Sequence, residues 1–230
     1  SLSGRARRRH QSLEREVLQT ADAVITIAPY HQQRLTQLGG RSVHLITNGF
    51  DEEDFKNVTH VRTSHFTIRH LGVVDELRDP RPVMEAIEQL LVENPSREAQ
   101  IRVEFIGNVN RRFIDWVQQS GPLNRVTRFV THIPHAQVLE KYGTTDLQLL
   151  VLAHTAIAPG NLPGKFFEYL ASGNPILAIG PPDGDAAQIL RDTKAGVMVD
   201  RGDRAASGIG DVLFKMGARR SYRQPIGGSF

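Results

Sequence analysis

Apolar runs of strand length alternate with segments of helical periodicity between residues 66 and 199. At least ten residues separate one run from the next, which leaves room for a helical crossover and is too long for a hairpin. The alternation predicts a mostly parallel sheet with helices on both faces, a Rossmann-like, doubly wound α/β domain with three layers, α-β-α. Strands are predicted at 66–72, 101–107, 126–131, 147–153, 176–180 and 196–199, and helices at 82–93, 111–119, 135–142, 163–172 and 185–192.

The two ends of the chain follow the pattern less closely. Before residue 66, strands are predicted at 23–27 and 43–47 with a helix at 29–38 between them. The polar segment 52–64 shows neither period and is typical of a linker, so we expect a domain boundary near residue 62. The tail 201–230 contains six glycines and has helix-like spacing only at 212–216, which predicts one weak helix and a frayed end.

The net charge of +3 comes from the two ends of the chain. Residues 1–10 hold four arginines and no acid, and 201–230 hold six basic and two acidic residues, which leaves −5 for residues 11–200. A mildly acidic body is not the composition of a nucleic-acid-binding protein, so no nucleic acid partner is expected. The basic run at 5–9 is typical of a solvated helix start, with contact to acidic lipid or an acidic partner as the alternative.

The chain contains no cysteine, which excludes disulfides, thiolate metal sites and cysteine nucleophiles together. No apolar run approaches the roughly 18 residues that span a bilayer, and the start shows no signal-peptide pattern. We therefore expect a cytoplasmic protein. The chain begins at Ser1 rather than at a methionine, which predicts that the native start lies further upstream.

Residues just after the predicted strands are candidates for ligand binding, because open parallel sheets bind ligands at the carboxyl ends of their strands. Gly72 follows the first strand of the sheet and would allow a phosphate to approach the backbone. Arg78 lies shortly before the next helix, where a cation beside a helix N-terminus suits a diphosphate. The alternative is a surface ion pair between Arg78 and either Glu76 or Asp79.

The segment 162–175 carries the strongest local signal. Pro163 fits the first position of a helix, and Gly173 fits its C-terminal cap. Lys165 lies in the first turn, where a cation opposes the helix dipole unless an anion binds there. Glu168 follows one turn later among apolar residues and needs a partner, either Lys165 or the vicinal hydroxyls of a ribose. The alternative, an exposed Lys–Glu pair, is worth only about 0.2–0.5 kcal/mol.

Signatures of other sites are missing from the sequence. It has no G-x-G-x-x-G after the first strand, no G-x-x-x-x-G-K-[ST] and no G-x-S-x-G. None of the nine histidines forms an HxH or HxxxH pair on a predicted helix, and His132 and His135 lie on either side of Pro134. No metal site and no cofactor is therefore expected.

Three stretches, in their order and spacing, resemble GT-B-fold glycosyltransferases of the retaining family 4 type. They are ADAVIT at 21–26 with NGFD at 48–51, LGVV at 71–74 with RDP at 78–80, and PGKFFEYLA at 163–171 with GNPIL at 173–177. The first resembles the end of the family's N-terminal domain, and the other two resemble the donor-binding C-terminal domain. The resemblance covers roughly residues 12–200 and implies that 1–62 is the remnant of an acceptor domain with the hinge, and 63–200 a nucleotide-sugar domain.

The resemblance also implies roles for individual residues toward a nucleoside-diphosphate sugar. They are Gly72, Arg78 and Lys165 for the diphosphate, Glu168 for the ribose, Thr131, His132, Ile133 and Pro134 beside the nucleobase, and Gly160, Asn161 and Gly164 near the transferred sugar. No metal is implied, because side-chain cations and helix N-termini stabilise the leaving group in this family. The implied reaction is retaining transfer of a hexosyl unit to a glycan or lipid-linked acceptor, as in polysaccharide biosynthesis.

Two positions depart from the family pattern. Gly160 stands where members often have the first of two glutamates, and Val73 where many have a polar or basic residue. The family's catalytic residue and acceptor site belong to the N-terminal domain, so we expect a fragment that binds the donor and turns over poorly or not at all. Peripheral attachment to the inner face of an anionic membrane is expected if the basic run at 5–9 shares a face with the acceptor cleft.

Other functions remain open at this point. One is a catalytically inactive nucleotide-binding or interaction module of the same fold. Another is a sugar-nucleotide epimerase, whose paired acids and histidines do not fall in register here. A response-regulator-like domain would need an acidic cluster after its first strand, and only Asp75 and Glu76 are present, in a loop.

Overall fold

The computed structural model describes residues 3–202, and the predicted weak helix at 212–216 lies outside this range. The helices are α1 (Gly4–Thr20), α2 (Pro29–Gly39), α3 (Glu52–Phe55), α4 (Arg81–Glu93), α5 (Arg111–Gln119), α6 (Gly121–Val126), α7 (His135–Gly143), α8 (Gly164–Ala171) and α9 (Asp185–Thr193). The strands are β1 (Ile25–Thr26), β2 (His44–Leu45), β3 (Phe66–Leu71), β4 (Ile101–Ile106), β5 (Thr127–Val130), β6 (Leu147–Val151), β7 (Ile176–Ile179) and β8 (Gly196–Val199). Short 3-10 helices lie at Pro95–Ala99 and Ala158–Gly160.

The main sheet has six parallel strands in the order β5-β4-β3-β6-β7-β8. All six predicted strands are present, and the predicted doubly wound α/β fold is confirmed. Val126, predicted as the start of the third of these strands, is instead the last residue of α6. The reason is that the Ser120 side chain accepts a hydrogen bond from the Leu123 N–H and begins a short helix there, at 3.2 Å.

The connections leave β3 and β6 in opposite directions along the sheet. From β3 the chain proceeds to β4 and β5 on one side, and from β6 to β7 and β8 on the other. β3 and β6 are nonetheless direct neighbours, paired at Ile68 with Leu147 and at Arg69 with Gln148. A crevice therefore opens between the loops that follow these two strands, which is where doubly wound sheets bind ligands.

Helices cover both faces of the sheet. On one face α4, α5 and α6 bury side chains such as Met84 and Phe113 against Phe105 of β4. On the other face α7, α8 and α9 bury side chains such as Tyr142 and Phe166 against the sheet. β6 lies at the centre and is buried at all five positions, which explains its almost continuous apolar sequence.

The N-terminal segment forms a two-stranded parallel sheet of β1 and β2; α2 packs against both strands, and α1 packs against α2. The segment 52–64, in which the sequence shows no helical period, contains the short helix α3. The side chain of Asp51 caps this helix by accepting a hydrogen bond from the Glu53 N–H at 2.9 Å, and Phe55 is buried. A helix of one turn is too short to produce a helical period, so the sequence pattern did not reveal it.

The first helix, α1, is exposed along most of its length. Ser3 caps it by accepting a hydrogen bond from the Ala6 N–H at 3.3 Å, and Leu18 is its buried residue. Arg5, Arg7, Arg8 and Arg9 are exposed in its first turns, as the solvated helix start predicts. Within residues 3–202, no helix combines the length and the apolar character needed to cross a bilayer.

Candidate functional site

Gly72 and Lys165 meet at the mouth of the crevice between β3 and β6. The Lys165 ammonium donates a hydrogen bond to the Leu71 carbonyl at 3.0 Å. A Cβ atom on residue 72 would stand 2.8 Å from the Lys165 Nζ, and the φ angle of Gly72 is +128°, which disfavours any side chain. Glycine at this position therefore makes room for the ammonium.

Lys165 is an enclosed cation beside a second cation. Burial and the neighbouring charge of Arg78 lower its pKa from 10.5 to about 8, while Glu168 acts in the opposite direction. In the described part of the chain, no carboxylate lies within ion-pair distance of the Lys165 ammonium. Its environment therefore disfavours the charged form, and an anion would relieve this.

Arg78 has a different partner from either one considered in the sequence. Its Nη1 donates to Asp75 Oδ2 at 2.7 Å, and its backbone N–H donates to Asp75 Oδ1 at 2.8 Å. The predicted alternative of a pair with Glu76 or Asp79 is therefore wrong. The Asp75 side chain folds the loop back on itself, and this turn brings its carboxylate to the guanidinium.

The N-terminus of α8 lies at the same place. Pro163 is its N-cap residue rather than its first helical residue, and it provides no side-chain cap. The first turn, which begins at Gly164, contains Lys165 and no acidic residue. The positive end of the helix dipole therefore adds to the two cations.

Glu168 lies one turn along α8, half-buried, and its partner is a tyrosine. The Tyr142 hydroxyl donates to Glu168 Oε2 at 2.8 Å. The sequence predicted Lys165 or a ribose as the partner of Glu168 and did not indicate Tyr142. Tyr142 lies 26 positions earlier in the chain, and no spacing rule connects the two residues.

The loop of Thr131, His132, Ile133 and Pro134 follows β5 and leads into α7. Thr131, His132 and Pro134 are exposed, and Ile133 packs partly into the core. At the end of the loop, His135 Nε2 lies 2.9 Å from Asp54 Oδ2, and this carboxylate raises the pKa of His135. The charge of Glu168 contributes to the same shift.

The segment predicted near the transferred sugar contacts the N-terminal part of the chain. A Cβ atom on Gly160 would stand 2.6 Å from the Nε2 of His31, so the imidazole lies against this glycine. Two residues after Gly160, the Leu162 carbonyl accepts a hydrogen bond from Asn48 Nδ2 at 3.1 Å, and Asn161 lies between them. His31 was not predicted, and no sequence signal links it to a position 129 residues away.

His70, two residues before Gly72 in β3, is a buried histidine that was also not predicted from the sequence. His70 Nδ1 donates to the Leu149 carbonyl at 2.9 Å. Burial, together with the charges of Lys165 and Arg78, lowers the pKa of His70 to about 3, so the ring is neutral at neutral pH. The available signal was a histidine near the end of a predicted strand of the sheet, directly before Leu71.

The structure thus brings Gly72, Arg78, Lys165 and Glu168 together, whereas the described contacts of Gly160 are with His31. A separate cavity of about 270 Å³ lies at the ends of β6, β7 and β8. Its walls include Leu77, Asp79, His154, Ile179, Asp200 and Arg201. Among residues 3–202, no three histidine, aspartate or glutamate side chains cluster as a metal site would require.

Comparison with solved structures identifies proteins of similar fold. WaaG, a glycosyltransferase involved in lipopolysaccharide biosynthesis, aligns with a TM-score of 0.68 at 13% identity, over 94% of this chain and 60% of its own. Sucrose-phosphate synthase from Thermosynechococcus elongatus aligns with a TM-score of 0.63 at 18% identity, over 96% and 56%. The pneumococcal O-GlcNAc transferase GtfA, solved in complex with UDP and GlcNAc, aligns with a TM-score of 0.65 at 12% identity, over 90% and 42%. No protein-family model and no curated protein matches the sequence.

The fold and the comparisons agree on the structural class. The chain is a doubly wound α/β protein with a crevice at its switch point. More narrowly, its structural neighbours are GT-B glycosyltransferases, as the sequence resemblance implied. At 12–18% identity the likeness is one of fold, and the chain spans 42–60% of the length of these three neighbours.

Proposed function

We propose that this chain is the donor-binding part of a glycosyltransferase and binds a nucleoside-diphosphate sugar. In this proposal 63–200 is the nucleotide-sugar domain, and 1–62 is the end of the acceptor domain with the hinge. The observation that carries the proposal is the position of the Lys165 ammonium, which lies against Gly72 and close to the charge of Arg78. Among the described residues, no carboxylate lies at ion-pair distance from this ammonium.

The diphosphate assignment follows from charge. Lys165, Arg78 and the N-terminus of α8 converge beside Gly72, and a diphosphate would supply the negative charge that Lys165 lacks. Bound there, the anion would raise the pKa of Lys165 and remove the conflict with Arg78. Gly164, at the start of α8, has no atom within 4 Å of an added Cβ, so the backbone is also accessible on that side.

The ribose assignment rests on Glu168. Its carboxylate lies one helical turn from Lys165, and Tyr142 occupies Oε2. In the part of the chain that the structure describes, no hydrogen bond reaches Oε1, which leaves an acceptor for the ribose hydroxyls. The exposed loop of Thr131, His132, Ile133 and Pro134 would then lie beside the nucleobase.

The reaction we propose is transfer of a hexosyl unit, with retention, to a glycan or lipid-linked acceptor. Lys165, Arg78 and the α8 N-terminus would stabilise the departing nucleoside diphosphate, which requires no divalent metal. Support comes from the neighbours, one of which is a glycosyltransferase of lipopolysaccharide biosynthesis and another an O-GlcNAc transferase. Catalytic residues and acceptor contacts would belong to the N-terminal half, of which 1–62 is the end.

A second candidate is a nucleotide-binding module without transferase activity. It is favoured by Gly160, which has no side chain to offer the transferred sugar and lies against the His31 ring. The two candidates share the donor site and differ in turnover. Hydrolysis or transfer from a bound sugar nucleotide, measured once the rest of an N-terminal half is supplied, separates them.

Isothermal titration calorimetry of this chain in buffer with EDTA tests the donor site. Nucleoside diphosphates, sugar nucleotides and inorganic pyrophosphate are titrated in turn, and we expect saturable binding of at least one nucleotide. Glu168→Ala should weaken the nucleotide about tenfold or more and leave pyrophosphate nearly unchanged, because a hydrogen bond to a charged group is worth about 1.5–3 kcal/mol. Absence of heat with every nucleotide in a folded sample would refute the proposal, and equal losses for both ligands would refute the ribose assignment.

The exposed arginines at the start of α1 support a further element of the proposal, attachment to an anionic membrane surface. Exposed Leu13 and Val17 lie later on the same helix. Flotation with vesicles containing anionic lipid should carry the protein at low salt and release it at high salt. Absence from the lipid fraction at every salt concentration would contradict this element alone.

A further inference from the structure

Two buried tyrosines direct their hydroxyl groups at different parts of the candidate site. Tyr142 of α7 donates to Glu168 Oε2 at 2.8 Å, and the hydroxyl of Tyr169 in α8 accepts a hydrogen bond from the Leu71 N–H at 2.9 Å. Both side chains are fully buried. Their ring centroids are 6.1 Å apart, yet one hydroxyl reaches the carboxylate and the other reaches the end of β3.

We propose that Tyr142 and Tyr169 are positioning residues that set the two halves of the donor site independently. Tyr142 fixes the Glu168 carboxylate for the ribose, and Tyr169 fixes the backbone before Gly72 for the diphosphate. This inference rests on the proposed function, since it concerns the same site.

Tyr142 is held firmly enough to orient a carboxylate. Its ring packs against Phe55, with centroids 5.5 Å apart, and its carbonyl accepts a hydrogen bond from Asn174 Nδ2 at 2.8 Å. The buried Arg69 side chain donates to the Lys141 carbonyl next to it, at 2.5 Å. The phenol therefore holds Glu168 Oε2 at a fixed place and leaves the second oxygen for a ribose hydroxyl.

Burial and the nearby carboxylate also raise the pKa of Tyr142, so its hydroxyl remains a donor at neutral pH. As a donor, this hydroxyl occupies Oε2 of Glu168 and leaves Oε1 as an acceptor for the ribose hydroxyls.

Tyr169 acts on the backbone rather than on a side chain. The ladder between β3 and β6 ends at Arg69 and Gln148, so Leu71 has no strand partner in β6. The Tyr169 hydroxyl accepts from the Leu71 N–H, and Lys165 donates to the carbonyl of the same residue at 3.0 Å. Both backbone polar groups of Leu71, the residue before Gly72, are thus bound by α8, which places the phosphate-facing backbone.

Calorimetry with three ligands tests the separation. The first ligand is whichever of UDP, GDP and ADP the wild-type protein binds most tightly. The second is the 2′-deoxy analogue of that nucleotide, and the third is inorganic pyrophosphate. Tyr142→Phe should lower the preference for the ribonucleotide over its deoxy analogue about tenfold, with pyrophosphate unchanged, because one hydrogen bond to the carboxylate is lost. Tyr169→Phe should weaken all three ligands by a similar factor and keep the ribose preference.

Tyr30→Phe removes a hydroxyl in the N-terminal segment and serves as the matched control, with no change expected for any ligand. A ribose preference that is unchanged in Tyr142→Phe, while the wild-type protein binds the nucleotide, would refute the inference and leave the proposed function standing. Failure of the wild-type protein to bind any nucleotide would refute the proposed function itself.

A measurement on the wild-type side chains covers the case in which a variant does not fold. The chain has four tyrosines, so 3-fluorotyrosine labelling gives a resolvable ¹⁹F spectrum. Pyrophosphate should shift the Tyr169 resonance and leave Tyr142 in place, whereas the nucleotide should shift both. Movement of Tyr142 with pyrophosphate alone would contradict independent positioning.

Discussion

The enclosed ammonium of Lys165 predicts that diphosphate binding weakens as the pH rises through 8. Its pKa is lowered to about 8 by burial and by Arg78, so the free site loses its charge above this pH. A bound diphosphate would restore the pKa to its ordinary range, so binding requires the site to take up a proton above pH 8. The protonated fraction of Lys165 in the free site falls between pH 7.5 and pH 9.5. The affinity for the diphosphate should fall with it, by about 20-fold.

The assay is calorimetric titration with a nucleoside diphosphate at constant ionic strength. The phosphate groups of the ligand do not titrate in this range, because the second pKa of a phosphate is about 6. His70 also faces Lys165, and its pKa of about 3 keeps that ring neutral over the whole range. Burial raises the pKa of both Tyr142 and Tyr169, so neither ionises there.

Lys165→Met provides the matched comparison. Its affinity should be independent of pH over this range and close to that of the wild-type protein at pH 9.5. Because the pKa of Lys165 is lower in the folded than in the unfolded chain, the ammonium also destabilises the free protein below pH 8, and the variant should gain stability there. A wild-type affinity that is equal at both pH values, or a variant that retains the slope, would refute the reasoning.

Three further changes test other parts of the structure. Gly72→Ala should weaken pyrophosphate binding at least tenfold in calorimetry, because its Cβ would stand 2.8 Å from the ammonium beside it, at a backbone φ of +128°. Arg69→Met should lower the free energy of unfolding, measured in urea, by about 3–5 kcal/mol, since Glu104, 2.7 Å away, is left without its buried partner. Asp54→Asn should lower the pKa of His135 toward 6.5 in an NMR titration, because the carboxylate that raises this pKa is lost. In the wild-type protein the pair of His135 and Asp54 stabilises the fold at low pH. This stabilisation is lost as the pH rises through the pKa of His135.

The first two of these changes have a control in the same chain. Gly49→Ala adds a methyl group in open space and should leave pyrophosphate binding unchanged. Arg112→Ala breaks an exposed ion pair with Glu76 and should cost at most about 1 kcal/mol. Equal effects in a test variant and its control, or a pKa of His135 that does not move, would contradict the corresponding assignment.

The sequence predicted the main sheet because its strands are buried on both faces. β6 is apolar at four of its five positions, and glycines 72, 107 and 180 each follow the end of a strand, so both the strands and their carboxyl ends were visible. The helix α3 was missed because one turn produces no period. The pairing of Arg78 with Asp75 instead of Glu76 or Asp79 depends on the turn of the loop, which composition does not specify.

The candidate site was predictable only where its residues are close in sequence. Lys165 and Glu168 share one helix, and their spacing placed them together. Tyr142 reaches Glu168 from another helix, and His31 reaches Gly160 from the far end of the chain, so both contacts depend on tertiary packing. For such pairs a single sequence provides neither a period nor a motif from which the contact could be inferred.

A crystal structure of this chain with a bound nucleoside diphosphate would show where the donor binds. We expect the diphosphate within hydrogen-bond distance of Lys165 Nζ and next to Gly72, with the ribose hydroxyls on Glu168 and no metal ion between them. A nucleotide found instead in the cavity at the ends of β6, β7 and β8, beside Asp200 and Arg201, would contradict it.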